Sequence, residues 1–351
     1  MRTIVIFFVY LFISKSAVFA ETAKIQPDEN LSSAVVLVYH RFGNSKYPST
    51  NIRIEQFEQH LKYIQDNGFT VWPLSKIVRY ISEAKKLPNK TLALTIDDAY
   101  ISTYTNAYPR LKAIKFPFTV FVSTSTIDAK SKNYMTWGQM HEMSLNGAEF
   151  ANHSVTHDYL LPQKFETKDS WKKRVTMEII NAQKKLQDKL GIFVNENPKL
   201  FSYPFGEYNE ELKNLLKNLG YVGITQTSGV VNSHSDLSIL PRFAMTEVFA
   251  NPKGFILKAN TLPLDIESIS PSEPLVTLQN PPLLQIKFKK AMKNLGCYKS
   301  DGERINIKWV SPTELQVQAK KPLQRPRDHY TCTAPARDGR WYWYSNLWII
   351  K

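Results

Sequence analysis

The chain of 351 residues is poor in cysteine, with 2 residues, too few for a fold held together by a framework of disulfides. It also lacks the apolar run of ~20 residues that a membrane-spanning helix requires, which excludes a polytopic membrane protein. No Gly-rich turn follows the first predicted strand, so the phosphate-binding signature of dinucleotide-binding folds is missing.

Positive charge, by contrast, is in excess. The chain holds 45 Lys+Arg against 31 Asp+Glu, a formal net charge of +14. Its hydrophobic content of 43% is typical of a soluble globular protein, and its length predicts about two domains. Charge alone predicts a polyanionic partner, which could be nucleic acid, anionic lipid or an acidic glycan.

The N-terminus predicts export. A ten-residue apolar run, Ile4–Ile13, is followed by small residues ending at Ala20, a secretory signal pattern with cleavage after Ala20. An N-terminal membrane anchor is the less favoured alternative, because the run is short and is followed by Lys15. Export to the periplasm or the medium argues against nucleic acid as a partner. It also favours a disulfide between Cys297 and Cys332 over two separate thiols.

Short apolar strands alternate with amphipathic helices up to about residue 225, which predicts a parallel α/β arrangement. Polar landmarks follow the predicted strands, at His40, Asp97-Asp98, His153 and Tyr203-Pro204. In a β/α barrel the carboxyl ends of the strands converge on the active site. The pattern therefore favours a barrel over a doubly wound open sheet.

The pattern changes after residue 262, where prolines and short β-like runs replace the helical periods. We expect a signal peptide at 1–20, a catalytic domain at 21–262 and a small all-β, sandwich-like domain at 263–351.

The last 89 residues hold 14 Lys+Arg and 8 Asp+Glu, a net charge of +6. Docking on an anionic cell-envelope surface is the functional interpretation, and ordinary solvation the default one, of four clustered lysines. They are Lys287, Lys289, Lys290 and Lys293.

Aromatic residues crowd the segment from Trp341 to Trp348. Alternation along a strand would place Trp341 and Trp343 on one face, where they could form a carbohydrate platform. Packing in a small core and against the barrel is the alternative.

Asp97 and Asp98 end a very apolar predicted strand, and two adjacent carboxylates in such a place usually need a cation. His153 and His157 are spaced i,i+4, so one helical turn would point both imidazoles the same way, a geometry that chelates zinc. Two histidines and one carboxylate leave a tetrahedral metal one open position, as in catalytic sites. Taken singly, the adjacent aspartates could be an ordinary turn signal and the two histidines could be a chance pair.

Three segments together resemble the motifs of the polysaccharide deacetylase family (NodB homology, carbohydrate esterase family 4-like). They are Thr95–Asp98, His153–His157 and Phe201–Gly206, within a similarity that covers roughly Val35–Phe243. The resemblance implies a deformed (β/α)7 barrel that holds one divalent metal and removes N- or O-acetyl groups from glycans. Zinc is favoured, with cobalt, nickel and manganese as alternatives.

The resemblance also implies roles for individual residues. Asp97 matches the general base that acts on the metal-bound water, and Asp98, His153 and His157 match the metal ligands. The backbone around Tyr203 would supply an N–H group to the oxyanion. These roles agree with metal-assisted hydrolysis, in which a carboxylate takes a proton and metal and N–H together hold the oxyanion.

The sequence departs from the family pattern in two places. The third motif lacks its usual arginine, and we expect Arg242 to orient Asp97 instead. The late Leu-x-His motif is also missing, and His40 is our candidate for the general acid. A core histidine tied to the backbone is the alternative for His40.

We therefore expect an exported, metal-dependent hydrolase that acts on carbon–nitrogen bonds of an acetylated glycan, with no transmembrane segment in the mature chain. A non-catalytic glycan-binding protein on a deacetylase-like barrel is the first alternative. An adhesion or scaffold protein that works through its β domain is the second.

Overall fold

The computed structural model describes residues 31–194 and 197–351. The predicted signal peptide at 1–20 lies outside the described residues. In the part of the chain that is described, none of the helices has both the length and the hydropathy of a membrane span.

The first sheet is built on parallel strands that are almost wholly buried. Its main strands, in spatial order, are β1 (Ser33–Tyr39), β5 (Thr91–Asp97), β6 (Phe118–Val122), β7 (Ala148–Asn152), β8 (Lys199–Ser202) and β9 (Tyr221–Ile224). Short strands flank them: β4 (Thr70–Val71) on β5, and β10 (Val231–Asn232) and β11 (Phe243–Ala244) on β1. A separate pair joins β2 (Arg41–Phe42) to β3 (Asn51–Ile52). Every residue of β5 is buried, as expected for a parallel strand covered on both faces.

Helices connect these strands and cover the sheet. They are α1 (Ile54–Asp66), α2 (Leu74–Ser82), α3 (Tyr108–Ala113), α4 (Thr124–Asp128), α5 (Trp137–Ser144), α6 (Lys168–Leu190), α7 (Glu210–Asn218) and α8 (Pro252–Ala259). Thr136 caps α5, since its side chain accepts a hydrogen bond from the Gln139 N–H. Leu74, Ile77 and Ile81 of α2 recur at helical spacing and are buried, although this helix was not predicted from the sequence.

Strands and helices form the deformed (β/α)7 barrel that the resemblance implied. The path of the sheet ends at β9 on one side and β10 on the other. In the described residues an isolated bridge between Ile224 and Leu240 links β9 to the segment that follows β10. The barrel is thus irregular on this side, and the second sheet packs there.

The second region is all β, as predicted. Its strands are β12 (Leu262–Pro263), β13 (Ile266–Ser270), β14 (Leu275–Val276), β15 (Leu283–Phe288), β16 (Gly296–Tyr298), β17 (Arg304–Ser311), β18 (Glu314–Gln318), β19 (Arg327–Pro335) and β20 (Trp341–Ile350). Alternate residues of β15, β18 and β19 point into one apolar core. Cys297 and Cys332 are paired across β16 and β19 and form a disulfide inside this core. The predicted division at residue 262 falls within β12, which pairs with β20.

The aromatic residues of β20 mostly serve packing. Trp348 is buried in the core of the second sheet, and the Trp343 ring meets Phe243 of the barrel edge-on at 5.5 Å. Leu347 and Ile349 share an apolar cluster with barrel residues. Trp341 alone among the tryptophans of this strand is well exposed, so a two-residue carbohydrate platform is not formed.

Candidate active site

The polar landmarks converge because the strands that carry them are parallel neighbours. His40 directly follows β1, Asp97 and Asp98 stand at the end of β5, and His153 follows β7. Arg242 directly precedes β11, which lies beside β1. The carboxyl ends of adjacent parallel strands meet at one edge, so residues far apart in sequence share one site.

Asp98, His153 and His157 form a compact group that could hold a metal ion. Asp98 Oδ1 lies 3.4 Å from His157 Nε2 and 3.5 Å from His153 Nε2, and the three ligand atoms lie within 4.8 Å of one another. Burial acts to raise the pKa of Asp98, but the neighbouring histidines hold it well below its ordinary value. An ionised carboxylate therefore faces two imidazoles, a donor set suited to a divalent cation.

The surroundings of His153 fit such a cation as well. Its Nδ1 lies 2.7 Å from the Ser202 carbonyl oxygen, which accepts a hydrogen bond and so places the proton on Nδ1. Its Nε2 is buried and has no hydrogen-bond partner in the described part of the chain. A buried nitrogen without a partner is costly unless something else binds it, and a metal ion would fill that role.

The segment between the two histidines is a loop and not the helical turn that their i,i+4 spacing would also allow. Ser154 and His157 adopt left-handed backbone conformations, with φ of 69° and 63°. Side chains close this loop: the Ser154 N–H donates to Asn152 Oδ1 at 2.9 Å, and the His157 N–H donates to Ser154 Oγ at 3.0 Å. The imidazoles converge because of this turn, which the i,i+4 spacing alone does not reveal.

Glu178 of α6 fastens the same loop from outside. Its Oε2 accepts hydrogen bonds from the Val155 N–H at 3.0 Å, the Thr156 N–H at 2.9 Å and the Thr156 hydroxyl at 3.1 Å. A carboxylate that collects three donors fixes the backbone between the two histidines. An acidic side chain on a long polar helix has no distinguishing local pattern, so this contact was not predicted from the sequence.

Arg242 lies where the sequence analysis expected it, on Asp97. Its two terminal nitrogens donate to the two carboxylate oxygens at 2.7 and 2.8 Å. Its remaining N–H groups donate to Thr95 Oγ1, Ser202 Oγ and the Thr225 carbonyl oxygen. Both charged side chains are fully buried. A planar guanidinium with every donor used holds the carboxylate in one orientation.

Asp97 stays ionised in spite of its burial. Burial acts to raise the pKa of Asp97, but the charges of Arg242 and the nearby histidines hold it below its ordinary value. The ring of His40 lies beside this carboxylate, with Nε2 4.0 Å from Asp97 Oδ2 and the side chain 12% exposed. No backbone hydrogen bond to the His40 ring occurs in the described residues, which argues against the alternative of a core histidine.

The prediction for Tyr203 needs a correction. The Tyr203 N–H donates to the Ile224 carbonyl oxygen at 3.0 Å, directly after the last pair of the β8–β9 ladder, so it is not available to a substrate. Its side chain is fully buried, and its hydroxyl donates to the Ser238 carbonyl oxygen. Pro204 has no N–H, and the next amide is that of Phe205, which has no acceptor in the described part of the chain. Phe205 is therefore the residue of this segment that can offer an N–H.

Aromatic rings flank the group of possible metal ligands. On one side Phe205 meets His157 edge-on at 4.7 Å and stacks on Tyr159 at 4.2 Å. On the other side the Arg41 guanidinium lies 3.4 Å from the centre of the Tyr100 ring. Tyr159 is 51% exposed, so its ring offers an open apolar face beside the site.

Comparison with known proteins gives the same picture. Residues 84–224 match the family model described as polysaccharide deacetylase. The putative polysaccharide deacetylase YxkH of Bacillus subtilis is 28% identical over 211 residues, which cover 59% of this chain and 69% of that protein. The poly-beta-1,6-N-acetyl-D-glucosamine N-deacetylase of Escherichia coli K12 is 26% identical over 227 residues, 55% of this chain and 33% of that protein. The chain thus aligns with about a third of the E. coli protein.

Solved structures share the fold. The Streptococcus pyogenes deacetylase PplD, in complex with acetate, superposes with a TM-score of 0.57 at 24% identity, covering 65% of this chain and 99% of that one. IcaB from Ammonifex degensii superposes with a TM-score of 0.56 at 24% identity, covering 68% of this chain and 100% of that one.

Proposed function

Since the barrel of this chain belongs to the polysaccharide deacetylase family, we propose that the protein is an exported, metal-dependent enzyme. It hydrolyses acetyl groups, above all the N-acetyl groups of amino sugars, on a polysaccharide or cell-envelope glycan. One observation carries the proposal: Asp98, His153 and His157 lie beside an ionised Asp97 that Arg242 holds from behind.

Asp98, His153 and His157 would hold the metal, with zinc favoured and cobalt, nickel or manganese as alternatives. When bound, the cation would supply a Lewis acid that polarises the acetyl carbonyl and acidifies water. Asp97 takes the proton of the attacking water, for which its low pKa keeps it ionised. Arg242 keeps the receiving carboxylate in a fixed orientation.

His40 and Phe205 complete the reaction. As water adds to the carbonyl carbon, negative charge develops on the carbonyl oxygen, and the Phe205 N–H would stabilise it. The C–N bond then breaks, and His40, 4.0 Å from Asp97, would donate the proton that the leaving nitrogen needs. The products are acetate and a free amino sugar.

The relatives support an amino-sugar substrate. Proteins from E. coli and Staphylococcus aureus that match this chain are described as poly-beta-1,6-N-acetyl-D-glucosamine N-deacetylases. The exposed face of Tyr159 supports a sugar ligand too, because aromatic rings stack on the apolar faces of pyranose rings. Poly-N-acetylglucosamine is therefore the first substrate to test.

We propose export through a signal peptide at 1–20, followed by a catalytic domain at 21–262 and an accessory domain at 263–351. The accessory domain would dock on an anionic envelope surface. Lys287, Lys289, Lys290 and Lys293 support this, because all four side chains are exposed.

The experiment is acetate release from a panel of glycans, with and without a chelator. The panel is poly-N-acetylglucosamine, chitin oligomers, peptidoglycan and an O-acetylated polysaccharide. We expect release from an N-acetylated member that stops with chelator and returns on addition of zinc. Release that is indifferent to chelator would refute the metal dependence, and no release from any member would favour a non-catalytic glycan-binding protein.

A further inference from the structure

A single arginine of the second sheet reaches into the active-site segment of the barrel. Arg327, the first residue of β19, donates through one terminal nitrogen to the Phe205 carbonyl oxygen at 2.6 Å and to Glu207 Oε1 at 3.1 Å. Arg327 and Phe205 are 122 residues apart in sequence. The contact therefore joins the two regions of the protein at the turn beside the metal-ligand group.

The turn that Arg327 contacts is also constrained by its own hydrogen bonds and by close packing. Phe205 itself adopts a left-handed conformation, with φ of 60°. The Gly206 N–H donates to the Tyr203 carbonyl oxygen and the Glu207 N–H to the Pro204 carbonyl oxygen. Gly206 has φ of 71°, and a Cβ there would stand 2.7 Å from the Gln226 backbone nitrogen, so the turn packs tightly against its neighbour.

Phe205 contacts a possible metal ligand with its ring, and Arg327 binds its carbonyl oxygen. Its ring meets the His157 ring at 4.7 Å, and its N–H has no acceptor in the described residues. Its carbonyl is the group that Arg327 binds. A shift of the carbonyl rotates the adjoining peptide planes, so Arg327 can influence both the ring against His157 and the direction of the N–H.

Glu207 keeps the arginine in place. Its side chain is 7% exposed, and burial raises the pKa of Glu207 although Arg327 opposes this. The packing of Trp343 on Phe243 and of Leu347 and Ile349 with the barrel core fixes β20, to which β19 is paired along its whole length. The backbone of Arg327 is thus held by β20, and its side chain extends from there to the barrel.

We propose that Arg327 is a positioning residue of the active site, through which the β domain sets the orientation of Phe205 for deacetylation. The inference rests on the proposed function. It makes the accessory domain a working part of the catalytic machinery as well as a docking module. Removing the domain should then reduce hydrolysis of a soluble substrate, where docking plays no part.

The test compares Arg327→Ala and Arg327→Lys with a matched control, Arg340→Ala. Arg340 lies on the same domain and pairs with Asp338, both partly exposed. On a soluble N-acetylglucosamine oligomer we expect kcat of Arg327→Ala to fall about tenfold, since small displacements in an active site carry costs of this order. KM, metal content and Tm should stay near those of the unaltered protein. Lysine should restore part of kcat because its ammonium can still donate to the carbonyl.

Amide hydrogen exchange gives a readout that needs no catalysis. The Gly206 and Glu207 amides should exchange several-fold faster in Arg327→Ala than in Arg340→Ala. Unchanged kcat and unchanged exchange in Arg327→Ala would overturn the inference, as would a loss of kcat accompanied by loss of metal and of Tm. If the unaltered protein releases no acetate, the proposed function fails by itself, and the exchange result still decides whether Arg327 fixes the turn.

Discussion

The barrel and the β domain place their charges in opposite ways. Residues 21–262 hold 29 Lys+Arg and 23 Asp+Glu, and residues 263–351 hold 14 and 8, so each carries a net charge of +6. In the barrel the charges that matter most are buried: Arg242 and Asp97 are fully enclosed. In the β domain the clustered lysines are exposed. The two regions have the same net charge, but the barrel buries a fixed charged pair and the β domain exposes its lysines to solvent.

Under the proposed function, the buried charges of the barrel serve the reaction and the exposed charges of the β domain serve attachment to a surface. A buried carboxylate keeps one orientation and a defined protonation state because its partners determine both. Exposed lysines offer long-range attraction without fixed geometry, and salt screens it. One contact between the regions is made by Arg327, which belongs by sequence to the β domain, is about one-third exposed and donates to the Phe205 carbonyl oxygen of the barrel.

The largest expected effect comes from breaking the buried pair. Arg242→Met removes the partner of a fully buried carboxylate, which should cost about 3–5 kcal/mol in the free energy of unfolding. The matched change in the β domain is Lys299→Met, since Lys299 is buried but pairs with the more exposed Asp301 and Glu303. That change should cost about 1 kcal/mol or less. Urea denaturation measures both, and equal losses would contradict the comparison.

Acid should weaken the barrel through His60, which α1 places in the core. Burial lowers the pKa of His60 to about 4, and its ring contacts the Tyr39 hydroxyl and the Ala250 carbonyl oxygen. The unfolded chain binds this proton near pH 6.5 and the folded chain does not, so stability falls as pH drops from about 6.5 towards 4. At pH 5 the loss from this group is about 2 kcal/mol relative to pH 7.

The His60→Gln variant should lose that part of the pH dependence. His141→Gln, which removes an exposed histidine of α5, serves as the control and should keep the slope of the unaltered protein. Unfolding free energies at pH 5 and pH 7 give the answer. An identical slope in His60→Gln and the unaltered protein would show that His60 does not cause the acid sensitivity.

A smaller effect should follow from loosening the histidine loop. Glu178→Ala removes the acceptor of three hydrogen bonds from Val155 and Thr156, so zinc affinity should fall about tenfold, as for other groups that support ligands from behind. Asp188→Ala removes an exposed acid from the same helix and should leave the affinity unchanged. Competition with a chelating dye measures both. Equal affinities in the two variants would mean that the loop holds its shape without Glu178.

The smallest effect concerns attachment. Replacing Lys287, Lys289, Lys290 and Lys293 by Gln should weaken binding to phosphatidylglycerol vesicles several-fold at low salt. The difference should vanish near 1 M salt, where the Debye length is about 3 Å. Four exposed lysines of α6 in the barrel, Lys172, Lys173, Lys184 and Lys189, provide a control with the same change in charge. Equal weakening by both sets would show that total charge, and not the β domain, drives binding.

Local patterns in the sequence predict much of this fold. The apolar residues of α6 recur at helical spacing and β6 is a short apolar run, and such patterns are local signals. The contact of Arg242 with Asp97, over a separation of 145 residues, was expected from the resemblance, because the third motif lacks its usual arginine. The disulfide between Cys297 and Cys332 was predicted from the export signal and is present.

Other features depend on tertiary structure that no local pattern encodes. The histidine loop is shaped by Asn152, Ser154 and Glu178, and the i,i+4 spacing of the two histidines does not distinguish such a loop from a helical turn. The Tyr203 N–H donates to the Ile224 carbonyl oxygen, which is visible only once β8 and β9 are paired. Arg327 comes from a separate sheet, and nothing in its sequence neighbourhood indicates a barrel contact.

The central claim is that Asp97 acts as a base beside a metal held by Asp98, His153 and His157. The most direct measurement is acetate release from an N-acetylglucosamine oligomer by the unaltered protein and by Asp97→Asn, with the metal content of both determined in the same preparations. We predict that Asp97→Asn keeps its metal and loses a factor of about 10²–10⁴ in rate. An Asp97→Asn variant that releases acetate as fast as the unaltered protein would contradict the account.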